Sequence, residues 1–112
     1  MRVENIAGIE VNVDEALQFL LGVGETKIDQ EDGYYLLKFD DEGYRLVLTV
    51  DYERTVADPE KGLSAIGLNT VFNETYFVDE FSFDQLIEDL HAQNLEDVEF
   101  WVLNSLEKQQ KF

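Results

Sequence analysis

A near-repeat constrains this chain more than any other feature: Glu31-Asp32-Gly33-Tyr34-Tyr35-Leu36-Leu37 is followed, ten residues on, by Asp41-Glu42-Gly43-Tyr44-Arg45-Leu46-Val47. In each copy an acidic residue and a Gly precede a Tyr and a run of β-formers. The acidic-Gly pairs supply the positive φ that tight hairpin turns need, and Tyr, Leu and Val suit the pleated, half-buried surface of a sheet. The pattern predicts three strands of an antiparallel meander between Thr26 and Glu53. Turn chemistry explains the repeat without a duplicated functional unit.

Other elements follow from periodicity and end signals. From Arg2 to Val13, the alternation of Val3, Ile6, Ile9, Val11 and Val13, broken at Gly8, reads as one or two short strands. Asn12 or Asp14 can then cap a helix whose apolar face is Leu17, Leu20 and Leu21, with Gly22 and Gly24 as stop signals. The stretch from Arg54 to Gly62 holds the only proline and loses periodicity, so it is expected to be an exposed loop. Beyond it, the residues from Leu63 to Phe72 and from Thr75 to Val78 read as a hairpin turning at Asn73-Glu74. Ser82 lies three residues before Gln85 in capping-box spacing and opens a helix with Leu86, Ile87 and Leu90 inward. A last helix is expected from about Leu95 to Lys108, with Leu95, Val98, Val102 and Leu106 at helical spacing. Its alternative is a strand through Val98 to Leu103.

The expected fold is α+β: an antiparallel sheet of about five strands, with the N-terminal helix and the two C-terminal helices packed on one face. The chain has 112 residues, 45% of them hydrophobic and 12% aromatic, which suits a single domain over residues 1–112 and argues against disorder. No continuous apolar run has the length of a membrane span or a leader's apolar segment, so a cytoplasmic location is expected.

Charge narrows the partners. With 25 Asp and Glu against 8 Lys and Arg, the net charge is −17. Nucleic-acid phosphates and anionic lipid headgroups would be repelled, so neither direct nucleic-acid binding nor membrane binding is expected. The charge is also segregated: Lys61 and Lys108 are consecutive cations, and the residues between them carry ten carboxylates. Asp84 and Glu88 stand four apart on one helix face with Asp89 one step round, and Glu96, Asp97 and Glu99 load the start of the next helix. A like-charged i,i+4 pair costs about 0.2–0.5 kcal/mol, which a solvated, solubilising face tolerates. Alternatively, carboxylates spaced along a rigid scaffold can meet a basic groove whose usual occupant is a phosphate backbone. On that expectation the partner-binding residues are Asp79, Glu80, Asp84, Glu88, Asp89, Glu96, Asp97 and Glu99. A second acidic row is expected at the meander turns, with Asp29, Glu31 and Asp32 at one end and Asp40, Asp41 and Glu42 at the other.

Catalytic and metal chemistry find little support. His91 is the only histidine, late on a predicted helix where a cation is favoured. Partnering it with Ser64, Ser82 or Ser105 lacks the G-x-S-x-G context of a strained nucleophile, and Ser82 is better explained as a cap. With no Cys and one His, a zinc site would be nearly all carboxylate. The EF-hand register also fails, since Gly33 or Gly43 at the loop glycine places Ile28 or Lys38 where the first Asp belongs. Gly22-Val23-Gly24-Glu25-Thr26-Lys27 follows a helix instead of preceding one and lacks phosphate-loop spacing. No cofactor, metal or catalytic residue is therefore assigned. Among the aromatics, alternation turns one of Tyr34 and Tyr35, and one of Phe100 and Trp101, outward.

The expectation is a non-enzymatic acidic interaction protein that binds a basic protein surface. Its sharper form is an inhibitor of a nuclease or other nucleic-acid-handling protein, a DNA mimic of the small phage-encoded anti-restriction or anti-CRISPR kind. The alternatives are an immunity-type or accessory protein that neutralises a basic toxin or acts as a homodimer, and a small carboxylate-dependent enzyme.

Overall fold

The computed structural model describes residues 2–57 and 64–110. The elements are β1 (Val3–Ile6), β2 (Ile9–Asn12), α1 (Val13–Val23), β3 (Thr26–Gln30), β4 (Gly33–Asp41), β5 (Arg45–Ala57), β6 (Ser64–Phe77), a 3₁₀ turn (Val78–Glu80), α2 (Phe83–Ala92) and α3 (Glu96–Gln110). The fold is α+β, as expected. Its strands divide into two antiparallel sheets: a two-stranded β1–β2 hairpin and a four-stranded meander in the order β3-β4-β5-β6.

The meander follows the ten-residue pattern. Gln30 pairs with Gly33 around Glu31-Asp32, and Asp41 pairs with Leu46 around the turn that holds Gly43. Only the second turn uses its glycine for conformation, with Gly43 at φ 80°. Gly33 has no positive φ and serves another need: a Cβ there would collide with the Glu53 carbonyl oxygen of β5. Contrary to the Gly-turn expectation, this glycine permits a close backbone approach.

A second correction concerns the hairpin at Asn73-Glu74. These residues lie within β6 and pair with Thr49 and Leu48 of β5. Neither has the left-handed backbone of a two-residue turn, and β5 offers a partner strand long enough to keep both in the ladder. The loop expected from Arg54 also starts later, because Arg54 to Ala57 belong to β5 and pair with Gly67 to Ser64. The remainder of that loop, residues 58–62, lies outside the described residues.

Register assigns the two faces of the large sheet. Leu37 and Phe39 of β4, Leu46, Leu48 and Val50 of β5, and Phe72 of β6 are buried on one side. They share a single core with Leu17 and Leu20 of α1, Phe83, Leu86 and Leu90 of α2, and Val98, Val102 and Leu106 of α3. The three helices thus cover that face, and the β1–β2 hairpin packs among them. The hairpin turns through Ala7 and Gly8, at φ 49° and 83°, the two-residue turn that matches strand twist. Val98 to Leu103 is helical, and among the described residues no helix is long and apolar enough to cross a membrane.

The opposite face is partly solvated. There Lys38 pairs with Asp40 at 3.2 Å, and on β3 Lys27 pairs with Asp29 at 3.3 Å and stacks over the Tyr34 ring. Tyr34 lies on this face and Tyr35 on the core side, because successive strand residues alternate.

Candidate acidic interaction surface

The helix ends are anchored before any surface can form. Asn12, not Asp14, caps α1 by accepting the Glu15 N–H at 3.1 Å. Ser82 caps α2 by accepting the Gln85 N–H at 3.4 Å. The reciprocal half of the expected capping box is absent, since the Gln85 side chain donates to Asp89 instead, at 2.9 Å. A different contact comes from β1: Glu4 accepts the Ser82 hydroxyl at 2.5 Å and the Phe83 N–H at 2.8 Å. A carboxylate at a helix N-terminus satisfies an orphan donor and complements the dipole. Arg2 secures the preceding segment, donating to the carbonyls of Val78, Asp79 and Phe81 at 2.9–3.2 Å and to Asp14 at 3.1 Å.

With Phe83, Leu86 and Leu90 buried, helical geometry turns Asp84 and Glu88 outward, and both are exposed. Asp89 behaves differently. It accepts the Tyr76 phenol of β6 at 2.8 Å, and burial followed by this carboxylate's hydrogen bond pushes the Tyr76 pKa far above the usual tyrosine range. On α3, burial of Val98, Val102 and Leu106 exposes Glu96, Asp97 and Phe100. Asp97 accepts the Gln30 side-chain amide of β3. Glu99 is largely covered and lies 3.4 Å from the His91 Nδ1 across the α2–α3 corner. Asp79 and Glu80 are exposed on the 3₁₀ turn.

The eight acids singled out by sequence therefore separate. Asp79, Glu80, Asp84, Glu88 and Glu96 are exposed and make no salt bridge among the described residues. Asp89, Asp97 and Glu99 are engaged by Tyr76, Gln30 and His91. Glu96 and Glu99 come together with His91, Phe100 and Leu103 around a shallow depression at the α2–α3 corner, where Phe100 is 65% exposed and Trp101 is not. Asp79 and Glu80 come together with Tyr44, Arg45 and Phe77 around a second one.

Cations follow the opposite distribution. Arg2, Lys27 and Lys38 are each paired with a carboxylate, and Arg45 and Arg54 belong to β5. Lys108 is the described cation on α2 or α3. Tyr44 and Arg45 stand in the second copy of the near-repeat and Phe77 among the many aromatics, but no sequence pattern joined the three at one place. No group of three or more carboxylate or imidazole side chains is arranged to hold a metal among the described residues. Ser82, considered above as a nucleophile, is committed to capping.

Compared with known proteins, the chain gives no significant match to a family model, a curated protein or a solved structure.

Proposed function

We propose that this protein is a non-enzymatic acidic interaction module that binds a basic surface of another protein, and that it inhibits a nucleic-acid-handling protein by occupying the groove meant for a phosphate backbone. The observation that carries this reading is the set of five exposed carboxylates without a salt bridge among the described residues, Asp79, Glu80, Asp84, Glu88 and Glu96, in a stretch of chain without Lys or Arg. Anchoring by Glu4 and Arg2 supports it further. A backbone already held by hydrogen bonds loses little freedom on binding, and a net charge of −17 speeds encounter with a basic partner.

The test is affinity capture with the tagged protein, followed by titration of any captured nucleic-acid-binding protein. Binding should weaken steeply with added salt, compete with duplex DNA, and fall at least about tenfold when Asp84, Glu88 and Glu96 are changed to Lys together. Salt-insensitive binding, or full affinity in that variant, removes the reading.

One observation favours a second reading, the homodimer. β6 is an edge strand of fourteen residues containing no Pro, Lys or Arg, the residues that commonly protect an edge. Sedimentation equilibrium decides it: a dimer weakened by Asn73→Lys and Thr75→Lys supports edge pairing, and a concentration-independent monomer excludes it.

A further inference from the structure

Tyr44 and Phe77 are large aromatic side chains left 84% and 59% exposed, and both line one depression at the end of the β5–β6 pair, where Arg45 is the register partner of Phe77. Neither lies on a loose loop. Gly43 donates its N–H to Asp41 Oδ1 at 2.8 Å, and Glu42 donates to the Arg45 carbonyl at 2.9 Å, which closes the turn. The Tyr44 carbonyl accepts the Val78 N–H at 2.9 Å, joining this turn to the end of β6. From the other side Arg2 holds the carbonyls of Val78 and Asp79. Two rings are thus presented on a backbone already fixed by hydrogen bonds.

Their surroundings select what can cover them. Asp79 and Glu80 line the same depression as Arg45, while Asp41 and Glu42 stand in the adjoining turn, and the Arg2 guanidinium behind Val78 and Asp79 is itself paired with Asp14 at 3.1 Å. With Arg2 already paired with Asp14, the four carboxylates outweigh Arg45 and disfavour phosphate or an anionic headgroup at this depression. A cationic side chain meets both requirements at once, because its charge is attracted by the aromatic face and by the neighbouring carboxylates. Arginine fits better than lysine, since a planar guanidinium stacks on a ring while its edge donates to a carboxylate.

We propose that the depression lined by Tyr44 and Phe77 is the anchor point for an arginine-bearing segment of a partner protein, with Asp79 and Glu80 pairing the guanidinium that lies against an exposed ring. This rests on the basic-partner reading above and identifies where and how such a partner is gripped. Arg45 then bounds the site and forces the incoming cation toward the Asp79 and Glu80 side.

The experiment is an amide NMR titration of the whole protein with an alternating Arg-Gly octapeptide, its Lys-Gly counterpart and a Glu-Gly control, in about 150 mM salt to screen non-specific attraction. Shifts should centre on Tyr44, Arg45, Phe77 and Asp79, with the Arg peptide bound more tightly than the Lys peptide. Combining Tyr44→Ser with Phe77→Ser should weaken binding about tenfold while the remaining amide spectrum shows the fold intact. Asp79→Asn with Glu80→Gln, which leaves both rings in place, should weaken it comparably. Shifts centred on α2 and α3, or unchanged affinity in the Tyr44/Phe77 variant, overturn the anchor and leave the basic-partner reading standing. Absence of binding by either cationic peptide also overturns the anchor, while the basic-partner reading is judged separately by the capture and competition experiment.

Discussion

Tyr76 donates its phenol hydrogen to the Asp89 carboxylate across 2.8 Å, tying the edge strand β6 to α2. The same ring packs edge-on against Phe81 at 5.4 Å, and Phe81 against Phe83 at 4.9 Å, so the contact closes one margin of the core. An acid that shares a helix with two outward-facing carboxylates is thereby a structural acceptor.

Replacing Asp89 by Ala should destabilise the protein by about 1–2 kcal/mol, because a half-buried hydroxyl loses its acceptor. Asp84→Ala and Glu88→Ala should stay within about 0.5 kcal/mol of the parent, since both are exposed and their removal relieves like-charge repulsion. Urea unfolding followed through the single tryptophan, Trp101, distinguishes the two outcomes.

Alkaline pH should expose the Tyr76 contribution. Its folded pKa is raised by burial and by Asp89, so the stabilisation is complete below the unfolded value near 10 and is lost as pH rises toward the folded one. Tyr34, held by Glu53, and Tyr35, raised first by burial, act in the same direction. Unfolding measured at a series of pH values from about 9 upward should therefore fall less steeply for Tyr76→Phe than for the parent. Absorbance at the phenolate band should show ionisation completed later in the folded protein than in denaturant.

Glu4→Ala should cost about 1–2 kcal/mol through loss of the α2 cap, with Glu4→Gln retaining part of it through its one remaining carbonyl acceptor. Hydrogen exchange should accelerate first at the N-terminal amides of α2. Equal protection in Glu4→Ala and the parent would contradict the capping role.

Two glycines should respond oppositely to alanine. Gly33→Ala must displace β5 backbone at Glu53 and should cost at least about 1 kcal/mol, as forced overpacking does. Gly22→Ala enters open space within α1 and should gain about 0.5 kcal/mol from helix propensity. Thermal unfolding of both variants checks the pair of signs.

Much of the secondary structure was legible because its signals are local. The meander, the Asn12 and Ser82 caps, and the apolar spacing of α2 and α3 involve residues a few positions apart, where backbone geometry and side-chain periodicity act directly. Continuity of β6 through Asn73-Glu74 was not legible, because it depends on pairing with Thr49 and Leu48. Nor could alternation choose which of Phe100 and Trp101 faces outward, since helix rotation is set by what the neighbouring elements bury.

Sequence by itself determined the α+β class, the sign and segregation of charge, and the helix faces that carry Asp84 and Glu88. Tertiary structure alone decided that Asp89 and Asp97 are engaged by Tyr76 and Gln30, that Glu4 caps α2, and that Tyr44 and Phe77 line one depression. The division is physical: periodicity reports which way a side chain leaves its own element. The partners that satisfy or strand it come from up to 79 positions away, brought into reach only when the layers pack.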